Sequence, residues 1–180
     1  MVSRVSRAWS GPAVRDVHPE PAAVRRGVRL AVDVGSVRVG VARSDPDGVL
    51  ASPLEVIAHG RGDLDRLAAL TAAEQALEVI VGLPTTLAGR QGQAAVTARQ
   101  VATDLAARIA PVPVRLFDER FTTTTAHAVL RQSGKNSKAR RGIVDAAAAA
   151  VLLQAALDNE RATGDPPGEL VPGPGRMAHE

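Results

Sequence analysis

The sequence of 180 residues contains no cysteine, no tyrosine, one tryptophan and two phenylalanines. Without cysteine, the chain can form neither a disulfide framework nor a cysteine-ligated zinc site. The absence of disulfides is typical of proteins in a reducing compartment, so we predict a cytoplasmic location. Aromatic residues make up only 2% of the chain. Platforms for stacking bases are therefore scarce, and any binding of nucleic acid should rely on its phosphates.

Long apolar runs are also absent. We find no stretch of about 18 consecutive apolar residues, so the sequence predicts no membrane-spanning helix and no membrane partner. The segment around Arg4 and Arg7 lacks the apolar stretch of a secretory signal. Lysine occurs only at Lys135 and Lys138, so arginine carries most of the positive charge in a formal net charge of +3. A net charge this small excludes little, and the distribution of charge has to be examined instead.

The composition divides the chain into one domain with two tails. Residues 1–26 and 163–180 are rich in proline and lack periodicity, so we predict that both are disordered. Residues 27–162 alternate in the order β, β, β, α, β, α, β, α, α. Three strands joined by short turns should be antiparallel, whereas strands separated by helices should be parallel. The predicted fold class is α/β, with a mixed five-stranded sheet flanked by helices.

An acidic residue lies near the end of the first predicted strand. The run Val28–Val34 contains Asp33, turns at Gly35 and continues into the alternating run Val37–Val41, which is typical of a β-hairpin. An unpaired carboxylate in a half-buried strand is costly, so a positive group should lie opposite it. A turn with a solvated aspartate is the alternative. Glycines 35 and 40 fit positions where the backbone turns or a ligand approaches closely.

Further acidic residues lie where other elements begin or end. Asp118 and Glu119 close the strand predicted at Val112–Phe117, and Asp145 opens an Ala-rich last helix predicted to start near Gly142. Ligand sites form at strand ends in open sheets, although an aspartate at a helix start is also a common cap. Carboxylates without cysteine or clustered histidine favour Mg²⁺ or Mn²⁺. Two such ions can cleave phosphodiester bonds.

The segment between Arg120 and Val144 contains no acidic residue. Its basic residues are Arg120, Arg131, Lys135, Lys138, Arg140 and Arg141. Clustered basic side chains neutralise phosphates, so this segment predicts a nucleic-acid-binding surface. We assign a helix to residues 124–132 and a basic loop to residues 133–141. A solvated loop without a partner is the alternative interpretation.

Four segments together resemble the YqgF (RuvX) family of the RNase H-like superfamily, whose members are described as nucleases of pre-ribosomal RNA or as Holliday-junction-resolvase-like proteins. These segments are Asp33–Ala42, Val81–Pro84, Asp118–Thr123 and Val144–Gln154. The resemblance covers residues 28–157. It implies an RNase H-like fold and metal-dependent hydrolysis of phosphodiester bonds.

The resemblance also implies a set of site residues. Asp33 would be shared between two Mg²⁺ or Mn²⁺ ions, and Glu119 and Asp145 would complete the metal site and the catalytic set. Asp118 would support its neighbour Glu119. The expected contacts to nucleic acid come from Arg38, Arg120, Lys135, Lys138, Arg140 and Arg141. Ile143 stands where many relatives have lysine, which alters any substrate contact made there.

The substrate implied by the resemblance is structured nucleic acid. Maturation of the 5′ end of pre-16S rRNA, with ribosomal particles as partners, is the first hypothesis, for a monomer or a homodimer. Resolution of Holliday junctions in branched DNA is the second. A non-catalytic nucleic-acid-binding factor and an actin-like ATPase or sugar kinase also remain possible. The last would require a second hairpin and a longer chain than this one.

Overall fold

The computed structural model describes residues 25–85, 92–121 and 138–173. Its strands are β1 (Arg29–Val34), β2 (Arg38–Ser44), β3 (Ala51–Ala58), β4 (Glu78–Leu83), β5 (Val114–Asp118) and β6 (Glu169–Leu170). Its helices are α1 (Asp63–Ala73), α2 (Gln93–Ile109) and α3 (Lys138–Thr163), with a short 3₁₀ turn at Glu119–Phe121. Among these helices, including the 26-residue α3, none is long and apolar enough to cross a membrane.

The strands form one mixed sheet in the order β3-β2-β1-β4-β5-β6. The first three strands pair antiparallel, and β1, β4 and β5 pair parallel. Short turns connect the antiparallel strands, whereas α1 and α2 provide the longer connections that parallel strands require. Antiparallel first strands and parallel later strands are the arrangement that the sequence predicted, and the α/β fold class is confirmed.

Alternation along the strands gives the sheet two buried faces. Leu30 and Val32 pack in a core with residues of α1 and α2, whereas Ala31 packs on the other face with α3. Because side chains alternate between faces with a period of two, Asp33 shares the face of Ala31. Many of the buried residues of α3 are alanine, which allows the helix to lie close to β1, β2 and β3.

The sheet has six strands rather than the predicted five, and part of the predicted C-terminal tail belongs to it. Glu169–Leu170 pairs antiparallel with β5, and Val171 is buried in the core beyond it. Gly168, with φ of 74°, makes this return possible because a Cβ there would overlap the carbonyl of Leu116. The proline-rich composition concealed this short strand. Residues 1–24 and 174–180 lie outside the described residues.

The last helix begins at Lys138, four residues earlier than predicted. The prediction of a loop through Arg141 is therefore wrong for residues 138–141. Lysine, alanine and arginine are good helix formers, and one internal glycine costs a helix only about 1 kcal/mol, so Gly142 does not end it. The helix predicted at 124–132 and the start of the basic loop lie outside the described residues.

Candidate active site

Asp33 and Asp145 both lie next to Gly40. Asp33 lies opposite Gly40 in the β1–β2 register, and its residue is only 8% exposed. Residues opposite one another in an antiparallel pair project to the same face of the sheet. A Cβ on Gly40 would overlap the backbone carbonyl of Asp145. Gly40 therefore lets the first part of α3 approach the sheet closely and brings Asp145 beside Asp33.

Both aspartates line one cleft of about 360 Å³, which we call the aspartate cleft. Its other walls come from the β1–β2 turn, the residue after β4 and the start of α2, through residues that include Gly35, Ser36, Pro84 and Ala94. A groove of similar size, about 370 Å³, lies at the β5–β6 edge and is lined by no ionisable side chain. The aspartate cleft therefore offers carboxylate chemistry that this apolar groove cannot.

Arg38 also lines the aspartate cleft. Its Nε donates a hydrogen bond of 2.5 Å to Oδ2 of Asp145, and the two side chains are 26% and 32% exposed. The sequence predicted a positive group near Asp33, a metal-binding role for Asp145 and a nucleic-acid contact from Arg38. The structure brings all three residues into the cleft and pairs Arg38 with Asp145.

Glu119 lies on the same face of the sheet but does not line the cleft. It follows β5, and an ideal Cβ on Gly82 would be 3.0 Å from its Oε1, so the absent side chain at Gly82 makes room for this carboxylate. Gly82 belongs to β4, the strand next to β1. In the part of the chain that the structure describes, no three His, Cys, Asp or Glu residues form a metal-holding group. Of the three predicted metal ligands, the structure thus brings only Asp33 and Asp145 together in the cleft.

Asp118 supports the turn that carries Glu119. Its carboxylate accepts hydrogen bonds from Thr85 Oγ1 at 2.8 Å and from the backbone N–H of Arg120 at 2.9 Å. Partial burial raises the pKa of Asp118, but hydrogen bonds from Arg120 and Thr85 outweigh burial and hold this pKa below its ordinary value. Asp118 therefore stays ionised and ties the end of β5 to the residues after β4.

The structure gives the predicted phosphate-binding residues different environments. Arg120 forms a two-point ion pair with Asp118, at 2.9 Å from Nε and 2.7 Å from Nη2, and it does not line the aspartate cleft. Lys138, Arg140 and Arg141 lie at the start of α3, the helix that carries Asp145. Lys135 lies outside the described residues.

Comparison with known proteins identifies the family. The family described as RuvX, Holliday junction resolvase, matches residues 27–159. This chain belongs to the RuvX family. The resemblance stated from the four sequence segments is thereby confirmed.

Several curated proteins are close relatives of this RuvX chain. One from Thermobifida fusca is 58% identical over 157 residues, covering 83% of this chain and 99% of the relative. Another, from a Nocardioides species, is 55% identical over 153 residues, covering 82% and 98%. Both carry the name "Putative pre-16S rRNA nuclease". The structure of Thermus thermophilus RuvC with a Holliday junction gives a TM-score of 0.48 at 16% identity, covering 81% of this chain and 99% of that chain.

The carboxylates of this RuvX chain fit a hard divalent cation. Mg²⁺ is commonly held by one or two carboxylates, with water and substrate phosphate completing its six positions. Asp33 and Asp145 supply two carboxylates in one cleft, and the guanidinium of Arg38 already brings positive charge to one of them. The described arrangement therefore fits one ion more directly than the predicted pair of ions.

Two features of the site differ from what the sequence predicts. The sequence predicts a turn or a close ligand at Gly40, but the group that approaches there is α3. The sequence also does not predict the pair of Arg38 and Asp145, which are 107 residues apart. Asp33 is the acidic residue within the hairpin of Arg38, so the sequence offers a nearer candidate partner, and Asp145 becomes the partner only when α3 packs on the sheet.

Proposed function

We propose that this RuvX chain is a divalent-metal-dependent endonuclease that matures the 5′ end of pre-16S rRNA in the cytoplasm, acting on ribosomal precursor particles. One structural observation carries the proposal: Asp33 and Asp145, from the first strand and the last helix, line one cleft. Membership of the RuvX family and relatives that are 55% and 58% identical and named for pre-16S rRNA support the nuclease activity and the RNA substrate.

The acidic residues near the cleft have different roles in this proposal. Asp33 and Asp145 would hold Mg²⁺ or Mn²⁺, and such an ion would supply activation of water and stabilisation of charge on the scissile phosphate. Glu119, beside Gly82 on the neighbouring strand, is the third acid of the site. Asp118 and Thr85 keep the turn that carries Glu119 in position. Glu119 would act either as a further ligand or as the group that orients the attacking water.

Substrate binding in this proposal is dominated by phosphate contacts. Lys138, Arg140 and Arg141 begin the helix that carries Asp145, so they lie on the same element as one of the proposed ligands. Arg38 lies in the cleft itself. With aromatic residues at 2% of the chain, stacking on bases contributes little, and shape and backbone charge select the substrate.

Resolution of branched DNA is the second candidate because the family description names Holliday junctions. A resolvase cuts two strands symmetrically and therefore requires a two-fold dimer, whereas cleavage of one RNA strand requires only a monomer. The oligomeric state of the active protein thus separates the two candidates.

The proposal is tested by cleavage of two substrates by the same protein. Ribosomal precursor particles containing 5′-extended 16S rRNA and a synthetic four-way DNA junction are incubated with Mg²⁺, with Mn²⁺ or with EDTA. We expect metal-dependent cleavage of the RNA and loss of at least about a hundredfold in Asp33→Asn, since a metal ion contributes several kcal/mol to such a reaction.

Asp104→Asn, on the exposed surface of α2, is the matched control and should cleave normally. Cleavage confined to the junction would favour the resolvase. Full activity of Asp33→Asn, or undiminished activity in EDTA, would contradict the proposed chemistry.

A further inference from the structure

Arg38 contacts its carboxylate partner through one nitrogen only. Within the described residues the only hydrogen bond of its side chain runs from Nε to Asp145 Oδ2. Arg66 contacts Glu55 through both Nε and Nη2, and Arg120 contacts Asp118 in the same two-point manner. The Arg38 contact leaves both Nη groups without an acceptor in the described part of the chain. A guanidinium with both Nη groups unused can bind a second anion through them.

The position of Arg38 coincides with the proposed cation site. Arg38, Asp33 and Asp145 line the same cleft, and Asp33 is nearly buried. Two carboxylates close together in a partly buried cleft repel one another unless positive charge lies between or beside them. Arg38 supplies that charge in this structure. A divalent ion held by the same carboxylates would supply it instead.

We propose that Arg38 is an exchangeable occupant of the cation site, paired with Asp145 until a divalent ion is held there and then transferred to a phosphate of the substrate. This inference rests on the proposed metal-dependent function. The exchange replaces a single hydrogen bond to a carboxylate with a two-point contact to phosphate, for which guanidinium geometry is well suited. Arg38 is thus both a competitor of the ion and a ligand of the substrate.

The exchange couples the binding of ion and substrate. A phosphate that draws Arg38 away exposes Asp145 to the ion, and an ion at Asp145 leaves Arg38 available for phosphate. Such coupling is reciprocal, so the factor by which substrate raises ion affinity equals the factor by which the ion raises substrate affinity. A site built in this way binds metal weakly when no nucleic acid is present, which limits unwanted hydrolysis.

The test is calorimetric titration of Mn²⁺ into RNA-free protein. We expect Arg38→Gln to bind Mn²⁺ about fivefold more tightly than the wild type, the factor that corresponds to removing a partly exposed ion pair. Arg38→Lys keeps the positive charge and should bind Mn²⁺ with an affinity close to that of the wild type. Arg43→Gln is the matched control, because Arg43 lies on the same strand but pairs with Glu74 outside the cleft.

Affinity for a labelled RNA, measured in EDTA and with added Ca²⁺, gives the second readout. Arg38→Gln should weaken RNA binding with Ca²⁺ present, whereas Arg43→Gln should weaken it less. Thermal melting checks that each variant is folded. Unchanged or weaker Mn²⁺ binding by folded Arg38→Gln would overturn the exchange and leave the proposed function standing. Absence of Mn²⁺ binding in the wild type and in Arg38→Gln alike would overturn the proposed metal site itself, and the exchange with it.

Discussion

The two ends of the central strands contain the same kinds of charged residue, but these residues are buried at one end and line a cleft at the other. At the amino ends of β1 and β4, Arg29 and Glu78 are 0% exposed and Glu160 of α3 is 2% exposed. At the carboxyl ends, Asp33 and Asp145 line an open cleft with Arg38. Helix α3 connects the two, with Asp145 and Glu160 separated by about 22 Å of helix at 1.5 Å per residue. Both ends contain arginine and carboxylate side chains, and the ends differ in how far these side chains are exposed to solvent.

The amino-end cluster satisfies its charges internally. Glu78 accepts hydrogen bonds from Arg25 at 2.6 Å, Arg29 at 3.2 Å and Arg115 at 3.0 Å. Glu160 accepts from Arg25 at 2.9 Å and from Arg29 at 3.0 Å. Buried charges are tolerated only when they are paired and hydrogen-bonded in this way. The cluster therefore fixes structure, whereas Arg38 and Asp145 of the aspartate cleft are partly exposed and remain available to a ligand.

The largest expected effect is a loss of stability in Glu78→Gln, at the amino end of the strands. This change leaves Glu160 as the one remaining carboxylate of a cluster that contains Arg25, Arg29 and Arg115, so the free energy of unfolding should fall by about 3–5 kcal/mol. Because the cluster is far from the cleft, cleavage per folded molecule should change by less than about twofold. Urea unfolding and RNA cleavage measure the two quantities.

Glu74→Gln is the matched control for Glu78→Gln. Glu74 forms an exposed pair with Arg43, so its loss should cost no more than about 1 kcal/mol. If Glu78→Gln were as mild as Glu74→Gln, the amino-end cluster would not be the structural element described above.

The next effect is expected from Gly40→Ala, which acts on the cleft end. The added Cβ would lie 2.6 Å from the carbonyl carbon of Asp145 and 3.2 Å from the backbone nitrogen of Ala146, so α3 must move. Overpacking of this kind costs about 1–3 kcal/mol of unfolding free energy. Displacing Asp145 should also weaken Mn²⁺ binding and cleavage in molecules that remain folded, as calorimetry and cleavage assays would report.

Gly92→Ala provides the control for Gly40→Ala. Gly92 has φ of −86° and no atom within 4 Å of an added Cβ, so alanine should be tolerated there. Normal metal binding by Gly40→Ala would mean that the close approach of α3 to β2 does not set the position of Asp145.

Sequence patterns predicted the carboxyl end of the sheet better than the amino end. The valine alternation around Asp33 and the alanine-rich run after Asp145 encode burial, which is periodic and local, and the strand order follows from connection lengths. Ion pairing has no such period. Arg29 and Glu160 are 131 residues apart, and the choice among 22 basic and 19 acidic residues is made only when the sheet order brings their elements together.

Two signals of the amino-end cluster were nevertheless present in the sequence. Arg29 is the first residue of β1 and Glu78 is the first residue of β4, and each directly precedes the apolar residues of its strand. Charged residues inside strands buried on both faces require partners, so their joint appearance at the starts of two parallel strands predicts a pair. The sixth strand could not be found this way, because two residues are too few to show alternation.

The smallest effect is a difference in acid sensitivity between the two ends. Burial raises the pKa of Glu160, but hydrogen bonds from Arg25 and the charge of Arg29 outweigh burial and hold this pKa below its ordinary value of 4.5. The unfolded chain therefore takes up this proton first as the pH falls, so the stabilisation is complete above about pH 4.5 and is lost below it.

The stability difference between wild type and Glu160→Gln should accordingly be largest at pH 7 and shrink as the pH falls below 4.5, in urea unfolding series measured at each pH. The stability difference between wild type and Asp118→Asn should also shrink as the pH falls, because the pKa of Asp118 is lowered too. This difference should be smaller than that of Glu160→Gln, because the pair of Asp118 with Arg120 is at the surface. A Glu160→Gln difference that stays constant to pH 2 would contradict the linkage. If the pH-dependent loss of stability were larger in Asp118→Asn than in Glu160→Gln, the buried cluster would not be the end of the sheet that contributes more to stability.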